Sequence, residues 1–169
     1  LSGISGKAGD VVTVFGNNFW NNQHAMVVNG ASASTQVVST NMATFVVPSA
    51  VSVAIGTVQI QNAGNRFLPA PLDYASAPQS FRVIPSIQTV TSGFCTGFPS
   101  CTYPIVSQAK WGDYLRILGE NFVSSGLKVF FNGTQATIAS SSTNVIWVYV
   151  PDGSSSGPIT VENNGGISE

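Results

Sequence analysis

Charge is what this sequence has least of. Only 8% of its residues are Asp, Glu, Lys or Arg, against about 25% in ordinary globular chains. The basic residues Lys7, Arg66, Arg82, Lys110, Arg116 and Lys128 are scattered rather than clustered. Nucleic-acid binding draws its affinity from grouped positive charge on phosphates, so no nucleic-acid partner is expected. There is one histidine, His24, in the stretch "WNNQHAM". A lone loop histidine is far more often a solvated residue than a positioned base. The carboxylates Asp10, Asp73, Asp113, Asp152, Glu120, Glu162 and Glu169 include no two whose spacing builds a glycosidase pair. Calcium-loop strings and glycine-rich phosphate loops are missing too. The sequence therefore offers no catalytic residue, no cofactor site and no metal site.

Long apolar runs are also absent. None approaches the length of about 18 residues that a spanning helix needs, so no membrane insertion is expected within this segment. The chain opens at Leu1 with neither a methionine nor a signal peptide, which reads as a processed form or a piece of something longer. Cysteine is limited to Cys95 and Cys101, in "GFCTGFPSC". Gly97 and Pro99 can bend the intervening loop, so a local disulfide is favoured over two free thiols, and it would imply an oxidising compartment. Zinc is disfavoured, because a second cysteine pair or a set of histidines would be needed. With charge so sparse, the polar surface must be built from Asn, Ser, Thr, Gln and Gly, a composition common in secreted and surface-layer proteins.

What the sequence does have is a repeat. "GNNF" at 16–19 returns as "GENF" at 119–122, an offset of 103 positions. At the same offset Lys7-Ala8-Gly9-Asp10 matches Lys110-Trp111-Gly112-Asp113. Asn29-Gly30 matches Asn132-Gly133, Ser39-Thr40-Asn41 matches Ser142-Thr143-Asn144, and Val47-Pro48 matches Val150-Pro151. After the prolines the offset falls to 101, in the loops "SAVSVAIG" and "DGSSSG", where length changes are cheap. An internal duplication of this period means two domains, expected at 1–84 and 85–169.

Helix signals are nearly absent, and short β-rich runs alternate with turns. Strands are expected at 10–15, 25–29, 34–39, 42–48, 57–61 and 79–84 in the first unit. In the second they are expected at 84–90, 113–118, 127–132, 135–140, 144–150 and 158–162. "NG" at both hairpins supplies positive φ angles, and Pro48 and Pro151 end their strands. Alternation places Phe45, Val47, Val148 and Val150 in the core and turns Trp147 and Tyr149 outward. Phe19 and Phe122 read as core plugs beneath a loop. Asp10 and Asp113, at equivalent positions, read as a shared turn or strand-start hydrogen bond. The residues 91–109 have no counterpart in the first unit and read as a Cys-stapled loop.

The order of motifs is specific. A Gly-Asp leads into an alternating strand, then come G-x-N-F, an Asn-Gly turn, a strand ending in Val-Pro, and G-x-V-x-V-x-N-x-G. This resembles the IPT/TIG family of immunoglobulin-like domains, over almost the whole chain and in two copies. The resemblance implies an all-β fold: two tandem sandwiches of about seven Greek-key strands each. The family occurs in plexin-like receptors, cell-surface adhesion proteins, secreted polysaccharide enzymes and Rel-like transcription factors. Its domains usually hold and present rather than catalyse, and the last branch is disfavoured here by the missing basic loops.

Two function classes follow. One is a non-catalytic, extracellular structural or adhesive module, a segment of a surface fibre or a multi-domain surface protein. Its partners would be copies of itself or neighbouring IPT/TIG domains. The other is a glycan-binding or spacer module. Trp147, Tyr149, Trp20 and Trp111 offer aromatic faces for sugars; packing against the neighbouring unit or the insertion is the alternative use, and weighs slightly more. Asn132-Gly133-Thr134 is the one N-glycosylation sequence, although the turn needs Asn-Gly in any case. Finally, the first unit shows no opening P-x-I strand like "IPSIQTV", and the second writes no counterpart of "QSFRVI". Each unit is expected to lack one edge strand, supplied either by a longer array of which this segment is a window or by a neighbouring chain that pairs with the open edge.

Overall fold

The computed structural model describes residues 4–17, 19, 24–49, 51, 53–62, 79–97 and 99–168. These residues form an all-β chain that divides into two units, Leu1–Val83 and Ile84–Glu169. Each is an immunoglobulin-like sandwich of two antiparallel sheets.

In the first unit the strands are β1 (Ile4–Lys7), β2 (Val11–Phe15), β3 (His24–Val28), β4 (Ala31–Ala33), β5 (Thr35–Ser39), β6 (Met42–Val46), β7 (Ile55–Asn62) and β8 (Gln79–Ile84). They make a sheet ordered β1-β8-β7-β3-β4 and a smaller one ordered β2-β6-β5. Phe45, Val47, Met26, Val28, Val58, Phe81 and Val83 are buried between them, and the Phe45 and Phe81 rings meet edge to face at 5.6 Å.

The second unit has β9 (Ser86–Ser92), β10 (Tyr114–Glu120), β11 (Lys128–Phe131), β12 (Thr134–Gln135), β13 (Thr137–Ser141), β14 (Val145–Tyr149), β15 (Ile159–Asn163) and β16 (Gly166–Ile167). Its sheets are ordered β13-β14-β10-β9 and β12-β11-β15-β16. Leu115, Ile117, Phe122, Val129, Ile146, Val148, Val150 and Val161 form its core.

The repeated tetrapeptide now has a physical account. Phe19 and Phe122 are both buried, and each ring lies over the glycine that opens its own motif: a Cβ on Gly16 or Gly119 would strike it. The backbone of the motif is held by the repeated Ser-Thr-Asn segment. Gly16 donates to the Asn41 carbonyl and Phe19 to that of Thr40; Gly119 and Phe122 do the same to Asn144 and Thr143, all at 2.9–3.0 Å. The two motifs recur together because they are two halves of one corner. The Asn-Gly turns sit at positive φ as their chemistry requires, 48° and 84° at Asn29-Gly30, 46° and 85° at Asn132-Gly133. Asp10 and Asp113 share a job as well: each carboxylate accepts the backbone N–H of the lysine three residues earlier, at 2.8 and 2.7 Å.

Four strands go beyond the six expected in each unit: β1, β4, β12 and β16. Ile4–Lys7 is a strand where none was expected, but it joins β8 and not β2. Its "ISGK" is too short and glycine-interrupted to show alternation. The second unit does end on a partner for β15, reduced to the two residues of β16.

Candidate functional site

Three places in the fold carry exposed or unusual surface. The first is the outer face of β10 and β14. These strands pair with Tyr114 opposite Tyr149 and Arg116 opposite Trp147, so all four side chains stand on the face turned away from the core. The insertion folds back over this face. Cys95 and Cys101 are bonded to each other, and beside the bond Thr96 and Thr102 exchange backbone hydrogen bonds at 2.9 and 3.2 Å. Beyond it the chain lies along the outer edge of β9: Ser92 donates to the Pro104 carbonyl and Val106 to that of Val90. Tyr103 is thereby set edge-on to Trp147, with centroids 5.6 Å apart, while Tyr114 stacks on Trp147 at 5.6 Å. The Arg116 guanidinium sits 4.7 Å above the Tyr103 ring and 5.6 Å above that of Trp147. Trp147 is thus a packed residue at the centre of an aromatic cluster. Phe94 and Tyr149, each against Tyr114, are its exposed margins. The sequence reading named Trp147 and Tyr149 but missed Tyr114 and Arg116, which the strand register puts beside them.

The second place is one pole of the second unit. A cavity of about 860 Å³ opens there between the end of the insertion and the loop after Pro151. Its floor is the apolar end of the core, including Leu115, Val150 and Ile159, and its rim carries Gln108, Trp111 and Ser154–Ser156. Trp111 is 62% exposed. Its indole Nε1 donates to the Ser154 carbonyl at 2.8 Å, which fixes the ring across the mouth. Nearby, the Asn132 side chain donates to Ser155 Oγ at 2.7 Å and lies against Gly157. Its Nδ2 is tied by that bond to the loop after Pro151, and a glycan on Nδ2 would leave it a single N–H.

The third place is the free side of β2. Among the described residues β2 pairs only with β6, whereas its counterpart β10 carries β9 on the other side. Val11 and Phe15 are 67% and 78% exposed along that strand. Trp20 and the side chain of His24 lie outside the described residues. Among the described residues no three His, Cys, Asp or Glu side chains gather as metal ligands would, and no helix is long and apolar enough to cross a membrane.

No curated protein matches the sequence. Among solved structures, the plexin A4 extracellular region aligns at 18% identity and TM-score 0.35 over 96% of this chain and 16% of that one. SGBP-B of the Bacteroides ovatus mixed-linkage glucan utilization locus, solved with a mixed-linkage heptasaccharide, aligns at 15% identity and TM-score 0.36 over 96% of this chain and 38% of that one. The chain therefore spans well under half of either. The family model for the IPT/TIG domain matches residues 1–81 and again 100–169, most of the chain in two copies, and the protein belongs to the IPT/TIG family.

Proposed function

We propose that this protein is a non-catalytic structural or adhesive module of an extracellular surface, joined to its partners through a sheet edge in the first unit. The observation behind this reading is the asymmetry between β2 and β10. In the second unit the C=O of Tyr114 accepts from Gly93 on the β9 side. Its repeat partner Val11, and with it Thr13 and Phe15, therefore turns its backbone polar groups to the side of β2 that carries no strand among the described residues. Unpaired donors and acceptors beside exposed apolar side chains are the template for strand addition. The disulfide fits an oxidising, extracellular setting. The occupant would be an extended strand from a second copy or from a neighbouring IPT/TIG domain.

Sedimentation equilibrium across a concentration series tests this. Reversible association is expected for the wild type, and loss of association for Val11→Lys/Phe15→Lys, which puts charge on the edge without touching the core. A chain that stays monomeric, or a double variant that associates as well as the wild type, would sink the reading. A second reading, glycan binding, is favoured by a separate observation: the pole cavity of the other unit.

A further inference from the structure

We propose that the pole cavity of the second unit is a binding site for a neutral saccharide, with Trp111 as the platform on which a sugar ring stacks. The inference rests on the glycan-binding reading and is independent of the β2 edge, which belongs to the other unit.

The strongest argument is the comparison of the two poles. In the first unit the loop after Pro48 turns Val51 and Ala54 inward, and both are 2% exposed. They are aliphatic plugs over the end of the core. The second unit replaces this loop with Asp152-Gly153-Ser154-Ser155-Ser156, two residues shorter and without an apolar side chain. On the facing segment Ala8 becomes Trp111. One change thins the cover over the end of the core, where Ile159 is only partly buried while its repeat partner Val58 is 4% exposed, and the other sets a large indole at the mouth with most of its surface in water. Each is unfavourable for the isolated domain, since buried apolar area is lost and exposed apolar area is gained. Departures of this kind that coincide in space mark sites held for binding.

The chemistry of the walls selects the ligand. The indole face is electron-rich, and the C–H face of a pyranose ring is apolar and weakly electropositive. The bond from Nε1 to Ser154 fixes the ring before any ligand arrives, so little freedom is lost on stacking. Around it, the side chains of Ser107, Gln108 and Ser156 line the cavity without a hydrogen bond to the described chain. Ser155 Oγ accepts from Asn132 and keeps its own proton to donate. Hydroxyls and an amide, each able both to donate and to accept, match the hydroxyls of a sugar. Lys110 is the one charged residue in the lining. A cation would find no counter-charge there and a polyanion only one lysine, so the lining favours a neutral ligand.

The test is a titration of the whole chain, followed by the Trp111 Nε1–H signal and the backbone amides of Ser154–Gly157 in nitrogen-15 correlation spectra. The probes are neutral hexasaccharides of β-1,4-linked glucose, mannose and xylose and of α-1,4-linked glucose. A capped tri-valine peptide serves as the aliphatic competitor. The expected result is saturable shifts at those signals with at least one hexasaccharide. Trp111→Ala should weaken binding at least tenfold. A variant in which "SAVSVAI" of the first unit replaces "DGSSS" at 152–156 should abolish binding by restoring the plug, with the indole still present and the core signals unmoved. Saccharide binding at full strength in Trp111→Ala would overturn this site while leaving the glycan reading standing. No saccharide binding at all would overturn both. Shifts with the peptide alone would also overturn the proposal, in favour of a protein docking into the cavity.

Discussion

The two units share a corner, a turn and a core, and differ in how each closes its margins. The first unit plugs its pole with Val51 and Ala54 but leaves the outer side of β2 without a strand among the described residues. The second covers the matching side of β10 with β9, and β9 in turn with the insertion, yet leaves its pole open. The lesson is about what a duplication holds constant. The elements that recur are those the interior requires: the Gly-x-Asn-Phe corner, the Asn-Gly turn and the Gly-Asp strand start. The elements that diverge are loops and edges, where a change alters what the domain can bind before it alters whether the domain folds.

The shared corner is the place to break this comparison hardest. Phe122 is 1% exposed and packs on Gly119. Phe122→Ala should cost about 3–5 kcal/mol, and Phe19→Ala a similar amount. Amide exchange resolved by unit is the right readout, since one midpoint is poorly defined for a chain of two domains. The loss should fall on the unit that carries the substitution. Near-neutral effects at both positions would mean that the corner is not a core plug.

Next in size is the pole of the first unit. Val51→Ser removes the aliphatic plug and should cost about 2 kcal/mol, seen as faster exchange in β7 and β8. An unchanged exchange pattern would show that Val51 contributes little to closure, and it would remove the contrast on which the saccharide site is argued.

Much of this was legible in advance. Strands of five β-branched and aromatic residues, such as Val11–Phe15 and Val145–Tyr149, announce themselves by composition and by the turns that bound them. The corner and the turns were legible because their chemistry is local. Sheet membership was not: "ISGK" has too few side chains to choose between β2 and β8, and β12 and β16 have two residues each. The aromatic cluster was half legible, since Trp147 and Tyr149 show in the sequence but Tyr114 and Arg116 join them only through strand register. The cavity had a signal that sequence reading did not use. Ala8 against Trp111 and "SAVSVAIG" against "DGSSSG" both sit in the repeat alignment, but only the fold shows that they face each other.

The insertion gives a third contrast, because it has no counterpart. Its staple closes a short loop, so Cys95→Ser/Cys101→Ser should lower the stability of the second unit by about 2 kcal/mol at most. The attachment to β9 should survive, since it rests on Ser92 and Val106 backbone bonds and on Tyr103 against Trp147 and Arg116. Protected amides at Ser92 and Val106 in the double variant are the expected result. Free exchange at both would mean that the whole insertion hangs on the disulfide.

The finest contrast lies within a motif that the two units share. Asn29 and Asn132 hold the same left-handed position, and a Cβ on Gly56 or Gly157 would strike the side chain of either. Their amides differ in what they meet. Asn29 is buried, its Nδ2 donates to the Val53 carbonyl at 2.9 Å, and its Oδ1 has no partner among the described residues. Asn132 is exposed, and its Nδ2 donates to the Ser155 hydroxyl at 2.7 Å. Aspartate tolerates the left-handed turn as asparagine does, so Asn→Asp changes the amide and little else. At Asn29 the change sets a carboxylate oxygen against a carbonyl, two acceptors with no proton between them, in a place water does not reach. That should cost about 1–2 kcal/mol. At Asn132 the Ser155 hydroxyl can rotate and donate to the new carboxylate, and solvent covers the rest, so the cost should stay within about 0.5 kcal/mol. Equal losses at the two sites, measured by exchange in β3 and β11, would show that the turn backbone and not the amide contact sets the energy of this position.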